Sequence, residues 1–117
     1  MVSEGDALRA LSEQYGVPGI DLAQVAISAD DLGLVPREVA EAQKILPVLV
    51  RDDKLFLAMG DPTDRRVIDE LEFVTGRRVF PYVAVSKAIE RTIAAAYDAK
   101  DAGDSHYLGP DVPKSTL

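Results

Sequence analysis

The side chains with chemical reach in this chain are few: one histidine, His106, the acidic groups Asp52-Asp53 and Asp61 with Asp64, and the serines Ser12, Ser28 and Ser86. A catalytic histidine works when a third group holds it against a nucleophile or substrate, and no such partner stands at motif spacing from His106. The four aspartates could ligate a divalent cation, but the twelve-residue calcium loop, with its central Gly and final Glu, does not occur around them. A turn at Asp52-Asp53 and a helix start at Asp61 to Asp64 account for all four. The serines lie outside any nucleophile-elbow pattern, and no carboxylate pair stands out as a glycosidase pair. The eight glycines are scattered and form neither a P-loop nor a dinucleotide fingerprint. No catalytic residue, cofactor or metal is expected, and the chain is not expected to be an enzyme.

Twenty acidic against thirteen basic residues give a net charge of −7. That balance repels phosphate backbones and anionic headgroups, so neither nucleic acid nor a membrane surface is an expected partner. The tightest basic groupings are two doublets, Arg65-Arg66 and Arg77-Arg78. Cysteine is absent, which excludes disulfides and thiolate chemistry. No apolar run approaches the roughly 18 residues of a membrane span, so no direct insertion is expected and a reducing cytoplasm is the expected compartment. At 117 residues and 47% apolar, one domain with a single core is expected.

The elements that must carry any site follow from periodicity. Residues 4–15 place Leu8, Leu11 and Tyr15 at helical spacing before Gly16, and Pro18 forces an extended piece after it. Residues 25–28 suggest a brief strand, residues 32–35 a single turn of helix, and residues 37–44 a helix led by Pro36 with Val39 and Ala40 inward. Val48 and Val50, then Leu55, Leu57 and Met59, flank Asp52-Asp53 as a β-hairpin. Residues 65–75 put Val67, Ile68, Leu71 and Val74 on one stripe, with Gly76 as left-handed C-cap. Residues 79–85 read as a strand that Pro81 confines to an edge or a bulge. A last helix over 87–97 buries Ile89, Ile93 and Tyr97.

The expected fold class is α+β: a small, mainly antiparallel sheet with helices packed on one face. Leu57, Met59, Ile68 and Leu71 are expected in the core. Periodicity stops at Tyr97, so residues 1–97 are read as the domain and 98–117 as a disordered tail or linker.

Four stretches, residues 8–22, 32–48, 55–64 (LFLAMGDPTD) and 67–84 (VIDELEFVTGRRVFPYVA), together resemble the N-terminal domain of the ATPases that power type II secretion and type IV pilus assembly. The resemblance implies a cytoplasmic, non-catalytic module that precedes a hexameric motor and docks on the cytoplasmic part of an inner-membrane assembly protein. One branch of that family binds cyclic di-GMP through two motifs of the form RLGxxLVxxGLxxxxxLxxALxxQ. Val2, Ala7, Ala10, Leu11 and Gln14 match only the end of one motif, with Ala7 where Leu is preferred. A phosphate ligand would lack the motif's arginine and glycine-turn contacts, so cyclic di-GMP is not an expected ligand. No Walker motif of the motor is present.

Two surfaces are therefore expected to serve a protein partner. Leu8 and Leu11 form an apolar strip on the first helix, beside charged residues. Arg77 and Arg78 lie beyond a helix C-terminus and could pair with an acidic partner. The alternative function is a second-messenger sensor, in which these residues have no docking role.

Overall fold

The computed structural model describes residues 4–112. Along the chain run α1 (Glu4–Tyr15), a 3-10 turn at Leu22–Gln24, β1 (Ala26–Ser28), α2 (Ala29–Leu32), α3 (Arg37–Gln43), β2 (Ile45–Arg51), β3 (Lys54–Met59), α4 (Arg65–Thr75), β4 (Arg78–Val83), α5 (Ser86–Asp101) and β5 (His106–Leu108). The class is α+β. Its main sheet has the order β2-β3-β4, with β2 and β3 antiparallel, and β3 and β4 parallel across α4. A second, two-stranded antiparallel sheet joins β1 to β5.

The hairpin turns at Asp52-Asp53, with Arg51 paired to Lys54. Asp52 takes a φ of 57°, a left-handed conformation that a short polar side chain tolerates better than most. Asp61 does not cap α4. Its carboxylate accepts the Thr63 amide at 3.0 Å and the Thr63 hydroxyl at 2.5 Å, and so holds the loop before the helix. Gly76 ends α4 at a φ of 68°, and its amide donates to the Glu72 carbonyl. Leu57, Met59, Ile68 and Leu71 are all buried, as their phase requires. Val74 is not: it is 66% exposed, because the buried stripe of α4 consists of Val67, Ile68 and Leu71 and turns away from solvent before the last turn.

Helix α5 is the longest element. It buries Ala88, Ile89, Ile93, Ala96 and Tyr97 against the same core as β2 and β3. The Tyr97 hydroxyl donates to the Val35 carbonyl at 2.7 Å, which ties α5 to the loop before α3. Burial disfavours the phenolate and pushes the Tyr97 pKa up to about 12, against a smaller opposing pull from Arg37. At the surface, Arg37 of α3 meets Asp98 of α5 at 2.8 Å, and Lys44 meets Glu90.

The expected end of order at Tyr97 differs from the structure. Helix α5 runs on to Asp101, and β5 pairs with β1 in the register Ala26↔Leu108, Ile27↔Tyr107 and Ser28↔His106. A three-residue strand is too short to show a period of two, so its apolar content was hidden in a polar stretch. Gly109 then passes so close to the 3-10 turn that a Cβ there would lie 2.4 Å from the Ala23 carbonyl oxygen. Its amide donates to Val25 and that of Asp111 to Ala23, both at 2.8 Å. Residues 113–117 lie outside the described residues.

Candidate docking surface

The residues singled out from sequence fall at opposite ends of β4. Leu8 and Leu11 are half-buried on α1, and Leu8 packs so tightly on Gly19 that an added Cβ would meet its side chain at 3.0 Å. Gly19 in turn bridges Val83, the last residue of β4. Arg77 and Arg78 sit where β4 begins, five residues and roughly 17 Å of strand away. The structure therefore does not unite the two pairs into one surface.

Arg77 is anchored locally. Its amide donates to the Thr75 hydroxyl and its guanidinium to the Thr75 carbonyl, each at 3.3 Å. Its Nε is buried and finds no acceptor among the described residues, beside an open cleft of about 490 Å³ that Arg65, Arg78 and Phe80 also line. Arg78 is exposed and extends from β4.

Strand register reveals what the sequence reading missed. Residues paired across a sheet share a face. Arg51, Lys54 and Arg78 are register partners, so three cations form one row across all three strands. The next row on the same face is Leu49, Phe56 and Phe80, and the one beyond is Leu46, Ala58 and Tyr82. Leu49 is 42% exposed and Phe80 37%, whereas Leu46 and Ala58 are fully buried. This face thus passes from covered, through half-open and apolar, to open and basic. A groove of about 350 Å³, lined by Ile20, Val25, Val48, Leu49, Phe56 and Tyr82, marks the boundary. Phe56 stacks on Phe80 at 5.6 Å between ring centres, and the Lys54 ammonium lies 5.8 Å from the centre of the Phe80 ring. The signal was present: β3 and β4 are apolar in both phases, which a strand with one solvated face would not be.

Both edges of this sheet are blunted. On β4 the Val79 amide donates to the Glu72 carboxylate at 2.9 Å, Pro81 has no amide hydrogen, and the Val83 amide donates to the Pro18 carbonyl. On β2 the Val50 amide donates to the Asp31 carboxylate at 3.3 Å, and Pro47 lies within the strand. An added strand would find few free donors at either edge, so the face, rather than the edge, is available for contact.

His106 is exposed on β5, its Nδ1 3.1 Å from the Ser105 hydroxyl, and among the described residues reaches no other side-chain partner that would orient it for catalysis. Among the described residues, no helix is long and apolar enough to cross a membrane.

Residues 15–103 match the MshEN domain family. The chain is 36% identical over 99 residues to the type IV pilus assembly ATPase PilB of Myxococcus xanthus, covering 85% of this chain and 18% of that protein. It is 26% identical over 99 residues to PilB of Thermus thermophilus, covering 83% of this chain and 11% of the relative. This sequence thus spans less than a fifth of either ATPase. Among solved structures it resembles MshE with cdg (TM-score 0.68, 26% identity, 80% of this chain and 68% of that one). It also resembles the N-terminal domain of XpsE (TM-score 0.62, 25% identity, 80% and 66%).

Proposed function

The chain belongs to the MshEN domain family, found in the N-terminal, non-motor region of type IV pilus and type II secretion ATPases, and we propose that it acts as a non-catalytic docking module of such a system. In this reading the domain works in the cytoplasm and holds a partner protein at the cytoplasmic side of the inner membrane. The observation that supports it is the combination of that family with a folded unit that leaves Leu49, Phe73, Val74 and Phe80 exposed, Leu49 and Phe80 on one sheet face. A stable core beneath leaves the domain free to present those groups without rearranging.

Leu8 and Leu11 at one end of β4, and Arg77 and Arg78 at the other, are proposed as alternative contact points. The test is capture of the cytoplasmic segments of inner-membrane assembly proteins of such a system, using wild type and folded Leu8→Asp and Arg78→Glu variants. Loss in one variant assigns the surface, loss in neither discards both, and no capture by wild type discards the docking function.

A second reading, a cyclic di-GMP sensor, draws on the likeness to MshE with cdg. Titration of the purified domain with cyclic di-GMP tests it directly. Micromolar binding in solution would favour the sensor, and no heat or shift at millimolar ligand would remove it.

A further inference from the structure

We propose that the open end of the β2-β3-β4 face receives an acidic amphipathic segment of a protein partner. Its bulky apolar side chains cover Leu49, Phe56 and Phe80, and its carboxylates meet Arg51, Lys54 and Arg78. The inference rests on the docking function and deepens it by giving the partner's chemistry and its place on the fold.

Charge complementarity carries the choice of occupant. Arg37, Lys44, Arg65 and Arg66 each lie within ion-pair distance of a carboxylate on this chain. Arg51, Lys54 and Arg78 form no such pair among the described residues, although the chain as a whole carries an excess of seven negative charges. Three cations held in one row by strand register, next to a row of three apolar groups, form a two-part template about two residues deep along each strand. An extended or helical segment with large apolar groups toward one end and carboxylates toward the other matches it. The groove beyond Leu49, bounded by Val25 of the segment entering β1, gives the apolar end somewhere to insert. Arginine and aromatic residues are the side chains that most often dominate such contacts.

Other occupants fit less well. Strand addition meets edges whose amides are already used at Val50, Val79 and Val83. A nucleic-acid base needs a free ring face, but Phe56 and Phe80 stack on each other and Lys54 lies by the Phe80 ring. An anionic membrane is a poorer match, because three cations fall short of the four to eight of a typical lipid-binding cluster.

The experiment records amide shifts of the labelled domain with three probes: a peptide alternating Leu and Glu, the same peptide with Lys for Glu, and phosphatidylglycerol vesicles. The expected result is that the acidic peptide shifts Leu49, Phe56 and Phe80, and that Arg51→Glu/Lys54→Glu/Arg78→Glu weakens it at least tenfold. Leu49→Ser, at an exposed site one row from the cations and leaving every charge in place, should weaken it several-fold. Equal binding of the basic peptide, stronger binding of vesicles, shifts confined to α1 or α4, or the same shifts on concentrating the domain alone would each overturn the proposal. In parallel, the triple variant is tested for capture of the inner-membrane partner's cytoplasmic segment. Capture retained within twofold overturns this surface and leaves the docking function standing, whereas no capture by wild type removes both.

Discussion

The two faces of the β2-β3-β4 sheet are built from the same three strands, yet they end in different environments. On one face Leu55, Leu57, Met59, Val79 and Val83 are all buried. On the other, Phe56 and Phe80 are as apolar as anything opposite but remain partly in water, next to Arg51, Lys54 and Arg78. Strand propensity cannot tell these faces apart, since aromatic and branched side chains favour a pleated surface whichever way they point. What separates them is cover: those residues of the first face lie within the buried core, whereas the other face is covered only as far as the groove that Ile20 and Val25 line. The stacked phenylalanines thus stay partly exposed while apolar side chains on the opposite face are sealed, and that is the contrast on which the proposed contact surface rests.

The comparison breaks most readily through the sealed side. Leu57→Ala removes a side chain with no exposure, and should cost about 2 to 5 kcal/mol in chemical denaturation. Phe80→Ser on the open side should cost about 1 kcal/mol, chiefly its stacking on Phe56. Equal losses would mean that the two faces do not differ as described.

The wall of the groove gives the next effect. Gly109→Ala forces a methyl against the Ala23 backbone and should destabilise the fold by about 1 to 3 kcal/mol. Amide exchange should quicken first at Ala26, Ile27 and Tyr107, the β1-β5 pairing. A thermal midpoint unmoved by this substitution, or fast exchange through residues 102–112 already in wild type, would show that the segment after α5 does not pin β1.

Tyr97 sharpens the sealed side by titration. Its pKa is raised in the folded protein, so the stability it confers is fully present below pH 10, where the unfolded chain's phenol is still neutral. It is then lost as pH rises toward about 12, because the unfolded state releases that proton and the folded state resists. Tyr97→Phe should cost about 1 kcal/mol at neutral pH through the lost bond to Val35. It should also flatten the decline between pH 10 and 12. Burial raises Tyr107 as well, so the slope becomes shallower rather than vanishing. An unchanged alkaline slope in the variant would place the titrating group elsewhere.

The smallest effect belongs to the cation row. Arg51→Glu and Arg78→Glu are substitutions at exposed sites and should change stability by less than about 0.5 kcal/mol. A large loss would show that these charges support the fold and are not spare for a partner.

Much of the scaffold was legible in the chain. The hairpin around Asp52-Asp53, the α4 stripe ending at Gly76, the edge position of Pro81 and the burial of Ile89 and Ile93 each follow from a local period or a residue with restricted backbone geometry. The β5 strand was not legible, because His106 to Leu108 are ordered by β1, some 80 residues earlier, and by the clearance at Gly109. Of the expected contact residues, Arg78 falls within the basic row. Leu8 packs on Gly19 at the far end of β4 and stays half-buried, so the two expected contact pairs belong to separate parts of the surface.

By itself the sequence determined the elements and their inward faces, since those depend on side-chain period, turn chemistry and proline, all properties of neighbours along the chain. It also fixed the acidic balance and the want of a recognisable catalytic motif. Only the tertiary structure decided that Arg51, Lys54 and Arg78 form one row, that Leu49, Phe56 and Phe80 form the next, and that carboxylates from Asp31 and Glu72 close the sheet's edges. Those are relations between strands and helices separated in sequence. They are set by register and by the packing of elements distant along the chain, and no local period encodes either.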